Sequence, residues 1–76
     1  MSTHRVDVLV HVDEPLETEE LAALQEALGH MQGVNQVSRS ARPQLVRVDY
    51  DPGATRARTI IEQVRRQGLS AQLVGM

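Results

Sequence analysis

Seventy-six residues with 41% apolar side chains, one tyrosine, no Phe or Trp and no cysteine make one small domain, and a chain this short buries only about 60% of the surface its unfolded form exposes, too little for a deep internal active site. The lack of cysteine excludes a disulfide framework, a thiolate metal ligand and a thiol nucleophile, and a net charge of −2 without stacking aromatics argues against nucleic-acid binding. No apolar run approaches a membrane span, and the N-terminus lacks the basic-then-apolar layout of a secretion signal, so direct membrane insertion is not expected and a cytoplasmic location is.

In chain order, Met1 to Thr3 read as a frayed start and a strand is expected from about His4 to Val12. There Val6, Val8, Val10 and Val12 alternate with outward Arg5, Asp7, Leu9 and His11. The acidic turn Asp13-Glu14-Pro15-Leu16-Glu17-Thr18-Glu19-Glu20 follows. A helix is expected over about Thr18–Met31, with Leu21, Leu24, Leu28 and Met31 on one face, Thr18 as N-cap, Glu19 and Glu20 in the first turn, and Gly33 as the stop. Strands over about Val34–Ala41 and Gln44–Tyr50 read as a hairpin through Arg42-Pro43, and Asp51-Pro52-Gly53 forces a turn. A second helix over about Thr55–Gln67 buries Ala57, Ile60, Ile61 and Val64 and ends at Gly68, before a short strand Ser70–Val74. The order βαββαβ predicts an α+β, ferredoxin-like sandwich: a single domain over 1–76, core about 4–75, with two helices on one face of a four-stranded antiparallel sheet.

Charge is unevenly spread. Residues 1–38 hold one arginine against seven carboxylates, a balance of −6, while residues 39–76 hold seven arginines against three carboxylates, a balance of +4. Such a split suits oriented docking on a charged partner. On the open sheet face, Arg5, Asp7, Arg47 and Asp49 are expected to form cross-strand pairs, and Leu9 and Leu45 are expected to lie exposed.

Gly33-Val34-Asn35-Gln36-Val37, Val46-Arg47-Val48-Asp49-Tyr50-Asp51-Pro52, Ile60-Ile61 and Gly68-Leu69-Ser70-Ala71-Gln72-Leu73-Val74 give the chain, from Val6 to Val74, a form that resembles the heavy-metal-associated domain. That is the domain of small copper chaperones, of N-terminal modules of metal-pumping P-type ATPases and of mercury-binding proteins. The resemblance implies a metal site in the strand-to-helix turn, where the family carries Gly-Met-Thr-Cys-x-x-Cys. Counting back from Ala27-Leu28 sets Glu17 and Glu20 at the two cysteine positions, and Glu14, Pro15 and Leu16 at the Gly, Met and Thr positions. Carboxylates suit Mg²⁺, Mn²⁺ or Ca²⁺, and Zn²⁺ if an imidazole joins, so Cu(I) is not expected.

Glu17 and Glu20 are therefore the candidate ligands for a divalent ion, with Asp13 and His11 as candidate helpers; the plainer reading is that these acids complement the helix dipole. His4, His11 and His30 are spread too widely to serve one metal, and His30 reads as a cation at a helix end. Arg56 and Arg58 place positive charge at the start of the second helix, against its dipole, and are candidate partner-docking residues unless Asp51 or Glu62 offsets them. Arg39 stands where the family is usually apolar and is expected to reach water from an edge strand. No nucleophile-and-base pair or phosphate loop is present, so an enzyme is not expected. The sequence supports an interaction or regulatory module docking on a protein partner, such as a metal-transport component, then a carrier of a harder metal through Glu17 and Glu20, then a small-ligand-sensing dimer.

Overall fold

The structure, a computed structural model, describes residues 5–74. The frayed start at Met1 to Thr3, the strand start at His4 and the outer limits of the 4–75 core lie outside the described residues. The chain forms β1 (Val6–Val12), α1 (Thr18–Gly29), β2 (Val34–Arg39), β3 (Leu45–Tyr50), α2 (Ala57–Arg66) and β4 (Ala71–Val74). All pairings are antiparallel and the sheet order is β2-β3-β1-β4, so β1 and β3 lie at the centre. This is the ferredoxin-like βαββαβ fold.

Two periodicities meet in the core. Every second residue of β1 from Val8 on (Val8, Val10, Val12) and of β3 (Val46, Val48, Tyr50) is buried, Val6 at the strand start being exposed, and the helices cover that face with Leu24 and Leu28 from α1 and Ala57, Ile60, Ile61 and Val64 from α2. Leu21 and Met31 pack at its margin. The open face carries Asp7, Leu9 and His11 of β1. Asp7 sits opposite Asp49, and Leu9 opposite Arg47. The expected cross-strand pairing is thus made by Arg5, whose guanidinium lies 3.2 Å from the Asp49 carboxylate, while Arg47 faces a leucine. Leu9 and Leu45 are half-buried rather than exposed, flanked by the register neighbours Arg47 and His11.

Several boundaries differ from expectation: β2 stops at Arg39, two residues before Ala41, and the helix ends shift as well. Glu17, not Thr18, is the N-cap of α1, with extended backbone (φ −75°, ψ 164°); the Glu17 N–H donates to Glu20 Oε1 at 3.2 Å. A side chain three positions on can fold back only to that residue, so Thr18 becomes the first helical residue. At the other end α1 stops at Gly29, because Met31 N–H bonds to the carbonyl of Leu28, three residues back, tightening the last turn. Gly33 instead turns the chain into β2 with φ +93°. Its carbonyl accepts from Asp51 N–H at 2.7 Å. Finally, α2 starts at Ala57 rather than Thr55, since the N–H groups of Ala54 and Thr55 both bond to the Asp51 carbonyl and hold the preceding turn together.

Candidate functional site

The segment from Val12 to Glu20 carries β1 into α1, and its conformation is set largely by distant residues. Val12 N–H donates to Gln44 O and Asp13 N–H to Ser70 O, each at 2.9 Å. Gln44 Nε2 donates back to Asp13 O at 2.9 Å. Leu16 N–H reaches Pro43 O at 3.4 Å, and Arg39 Nη2 donates to Leu16 O at 2.8 Å. Leu16 is itself 4% exposed and belongs to the core. The first end of the turn and its middle are therefore tied to β2 and the β2–β3 connection, and Leu16 anchors the middle in the core.

Arg39 is exposed, as expected of an edge-strand arginine, but from β2 its guanidinium also donates to the Leu16 carbonyl and so becomes part of the turn's frame. Together with Gln44 it is a residue that local pattern could not assign to the site. Arg39 gave a signal, a charge at a usually apolar position, whereas Gln44 gave none.

Glu17 and Glu20 are exposed, three positions apart at the start of α1. The two form a capping box at the helix start, in which Glu20 Oε1 accepts the Glu17 N–H. Asp13 is exposed at the end of β1. His11 is half-buried and projects from the sheet face opposite the helices, since its neighbours Val10 and Val12 point into the core. The structure thus brings Glu17 and Glu20 together and puts His11 on the other side of the sheet. Among the described residues no group of three or more His, Asp or Glu side chains is placed to hold a metal ion. Carboxylate oxygens do not fit a soft monovalent ion. Two of them, one already bonded to the backbone, fall short of the four or more ligands of a closed divalent site.

At the other end of the helix layer, Arg56 is the N-cap of α2, in extended backbone without a capping side chain, and no acid lies in the first turn. Arg58 follows one residue inside the helix. The structure separates this pair: Arg56 lines a hollow of about 420 Å³ with Gly53, Thr55 and Thr59, whereas Arg58 lines a groove between α2 and β4. Neither is in direct ion-pair contact with Asp51 or Glu62, since the one ion pair among the described residues joins Arg5 and Asp49; Asp51 accepts the Gly53 N–H with its carboxylate, and Glu62 lines the same groove as Arg58. His30, the expected cation at the end of α1, is its C-cap residue.

No family model matches the chain, and no curated protein matches it by sequence. Solved structures do, and they define the class: the chain has the ferredoxin-like fold of heavy-metal-associated domains. The copper binding domain from HMA7, a P-type ATPase, superposes with a TM-score of 0.82 at 21% identity, covering 95% of this chain and 96% of that one. Oxidized MerP from Ralstonia metallidurans CH34 gives 0.80 at 14% identity over 93% of this chain and 99% of that one. The CsoZ metallochaperone gives 0.73 at 20% identity over 93% and 99%. At these identities the likeness is one of fold. No helix among the described residues is long and apolar enough to cross a membrane.

Proposed function

We propose that this chain is a cytoplasmic, non-enzymatic interaction or regulatory module working in a heavy-metal transport or homeostasis setting, in which the strand-to-helix turn presents carboxylates in place of a soft-metal site. The observation that carries the reading is the turn itself. It is pinned by Arg39, Gln44 and Pro43 from Val12 to Leu16, and its candidate ligand Glu20 is engaged in capping α1. A fixed, charged epitope suits recognition by a protein partner, and suits the transfer of a soft ion between thiolates poorly. The setting is supported by the fold neighbours, of which one is described as a metallochaperone and another as a copper binding domain of a P-type ATPase. The partner that follows is a component of metal transport carrying a complementary charged face.

A second reading keeps metal binding: Glu17 and Glu20 stand on one exposed helix start at the spacing of two ligands, and with Asp13 would take a hard divalent ion. A proton–nitrogen NMR titration of the metal-free protein with Zn²⁺, Mn²⁺, Ca²⁺ and Cu(I), repeated on Glu17→Gln/Glu20→Gln, decides between the two. The interaction module predicts no saturable response at micromolar metal. Saturable shifts confined to residues 11–22 and abolished in the double variant would overturn it in favour of the carrier. The small-ligand-sensing dimer requires a paired assembly, and a strict monomer by native mass measurement removes it.

A further inference from the structure

The two edges of the sheet are not closed alike. In β2, Ser40 N–H bonds to Leu45 O of β3. Main-chain groups alternate in direction along an antiparallel strand, so Val37 and Arg39 direct theirs to the outside. There α1 covers the edge at its midpoint, with Gln25 Nε2 donating to Val37 O at 2.9 Å. In β4, Ser70 O accepts from Asp13 N–H toward β1, so Ala71 and Leu73 face outward. Arg65 Nε of α2 donates to Ala71 O at 3.1 Å and closes the first half of that edge. Among the described residues nothing bonds to the Leu73 N–H or C=O, and Val74 beside them is 39% exposed, one of two large apolar residues exposed to that degree among those residues.

The open half of β4 borders a groove of about 400 Å³ lined by Arg58, Ile61, Glu62, Arg65, Gln72 and Leu73. Arg58 and Arg65 are seven residues apart on α2, about 10 Å along the helix. Neither takes part in an ion pair within the described residues, and the Arg65 bond to Ala71 uses Nε and leaves its Nη groups available. We propose that this groove docks an extended, acidic segment of a protein partner, which adds to β4 at Leu73 and places carboxylates on Arg58 and Arg65. An extended segment repeats its side-chain direction every second residue. An acid-x-apolar-x-acid pattern therefore sets its carboxylates about 13 Å apart, within reach of the two long side chains, and lays its central apolar residue over Ile61 and Leu73. Backbone pairing supplies affinity and the two arginines supply selectivity.

Charge argues against a second copy as the occupant. Two copies pairing their β4 edges antiparallel about Leu73 bring their α2 helices side by side in opposite directions, so Arg58 of each meets Arg65 of the other. Four guanidiniums then crowd against the two Glu62 carboxylates of the same grooves, which leaves a net positive, repulsive contact.

The proposal rests on the reading of the chain as an interaction module and adds a second contact, an acidic segment of the partner in the basic groove, apart from the basic face that the turn's carboxylates would meet. It is tested with a fluorescein-labelled Gly-Glu-Thr-Val-Thr-Glu-Gly peptide by anisotropy and by amide chemical shifts on the full chain. The expected result is saturable binding, with shifts at residues 58–65 and 71–74 and weakening at raised salt. Arg58→Glu, an exposed change whose fold is checked by circular dichroism, is expected to weaken binding at least tenfold, and replacing both peptide acids by lysine to abolish it. Leu73→Pro removes the outward N–H without breaking a bond to β1 and is expected to lose binding as well. No saturation at millimolar peptide, unchanged affinity in Arg58→Glu, shifts confined to β2, or a concentration-dependent dimer lost in Arg58→Glu would each overturn it. Such a failure removes this groove alone, whereas the interaction-module reading falls on a saturable metal site in the turn.

Discussion

The two helices of this domain begin in opposite ways. Both N-caps are extended, Glu17 at φ −75° and ψ 164° and Arg56 at φ −130° and ψ 155°. At α1 the first turn carries Glu19 and Glu20, and the Glu20 side chain folds back on the cap, so charge and hydrogen bonding both favour the helix start. At α2 the cap is an arginine, no side chain satisfies the first amides, and the first turn holds no acid. The burial runs the other way. Over its ten residues α2 buries Ala57, Ile60, Ile61 and Val64, while the twelve of α1 fully bury Leu24 and Leu28 alone. One helix is set locally by its end and the other by its face. A helix held by packing tolerates an unfavourable end.

The sharpest way to break that comparison is to remove the packing. Ile60 is 0% exposed, and Ile60→Ala is expected to cost about 2–5 kcal/mol, a large share of the stability of a domain this small. Urea unfolding measures it. A loss below about 1 kcal/mol would show that α2 is not held by its face.

The next effect tests how α2 is led in. Gly33, at φ +93°, sits under the segment that precedes α2, and a Cβ there would stand 2.8 Å from the Ala54 Cβ. Gly68, at φ +88°, ends α2 with open space around it. Both Gly→Ala changes meet the backbone cost of a left-handed conformation, about 1–2 kcal/mol, and Gly33→Ala adds overlap worth about 1 kcal/mol or more. Thermal melts should rank Gly33→Ala clearly below Gly68→Ala, and equal melting temperatures would remove the claim of close approach.

These contacts mark how far the sequence could be read. The stripe Ala57, Ile60, Ile61, Val64 and the alternation in β1 announce their elements because period and burial are local properties of the chain. The βαββαβ order follows from them. The turn was legible as a cluster of acids at a helix start, but its frame was not. Arg39 reaches Leu16 across 23 residues and Gln44 reaches Asp13 across 31, and nothing in the local pattern encodes either contact. Thr18 was misread as the cap for a related reason. It is the better intrinsic N-cap by residue type, yet the choice lay with the Glu20 carboxylate, which folds back onto Glu17.

At α1 the comparison is sharpened by taking that carboxylate away. Glu20→Ala loses the bond to Glu17 N–H and one favourable charge in the first turn, and is expected to cost about 1 kcal/mol. Glu20→Gln keeps an acceptor and should recover about half of this. If both variants cost nothing, α1 is not set at its end and the contrast with α2 disappears.

The smallest effect lies at α2 and has the opposite sign. Arg56→Asp places an acceptor at a cap that has none and reverses a charge lying against the helix dipole. Substitution of a poor N-cap by aspartate gains about 0.5–1 kcal/mol, and the charge reversal adds a few tenths, screened by salt. Arg56→Ser supplies an acceptor without the negative charge, so the difference between the two variants isolates part of the electrostatic term and should shrink toward zero at high salt. Stabilisation by both variants would mean that the native arginine is kept at a cost to the helix, as expected of a residue held for binding. A loss of stability on Arg56→Asp would instead make the guanidinium a structural part of the α2 start, while the groove at Arg58 and Arg65, which Arg56 does not line, would stand as before.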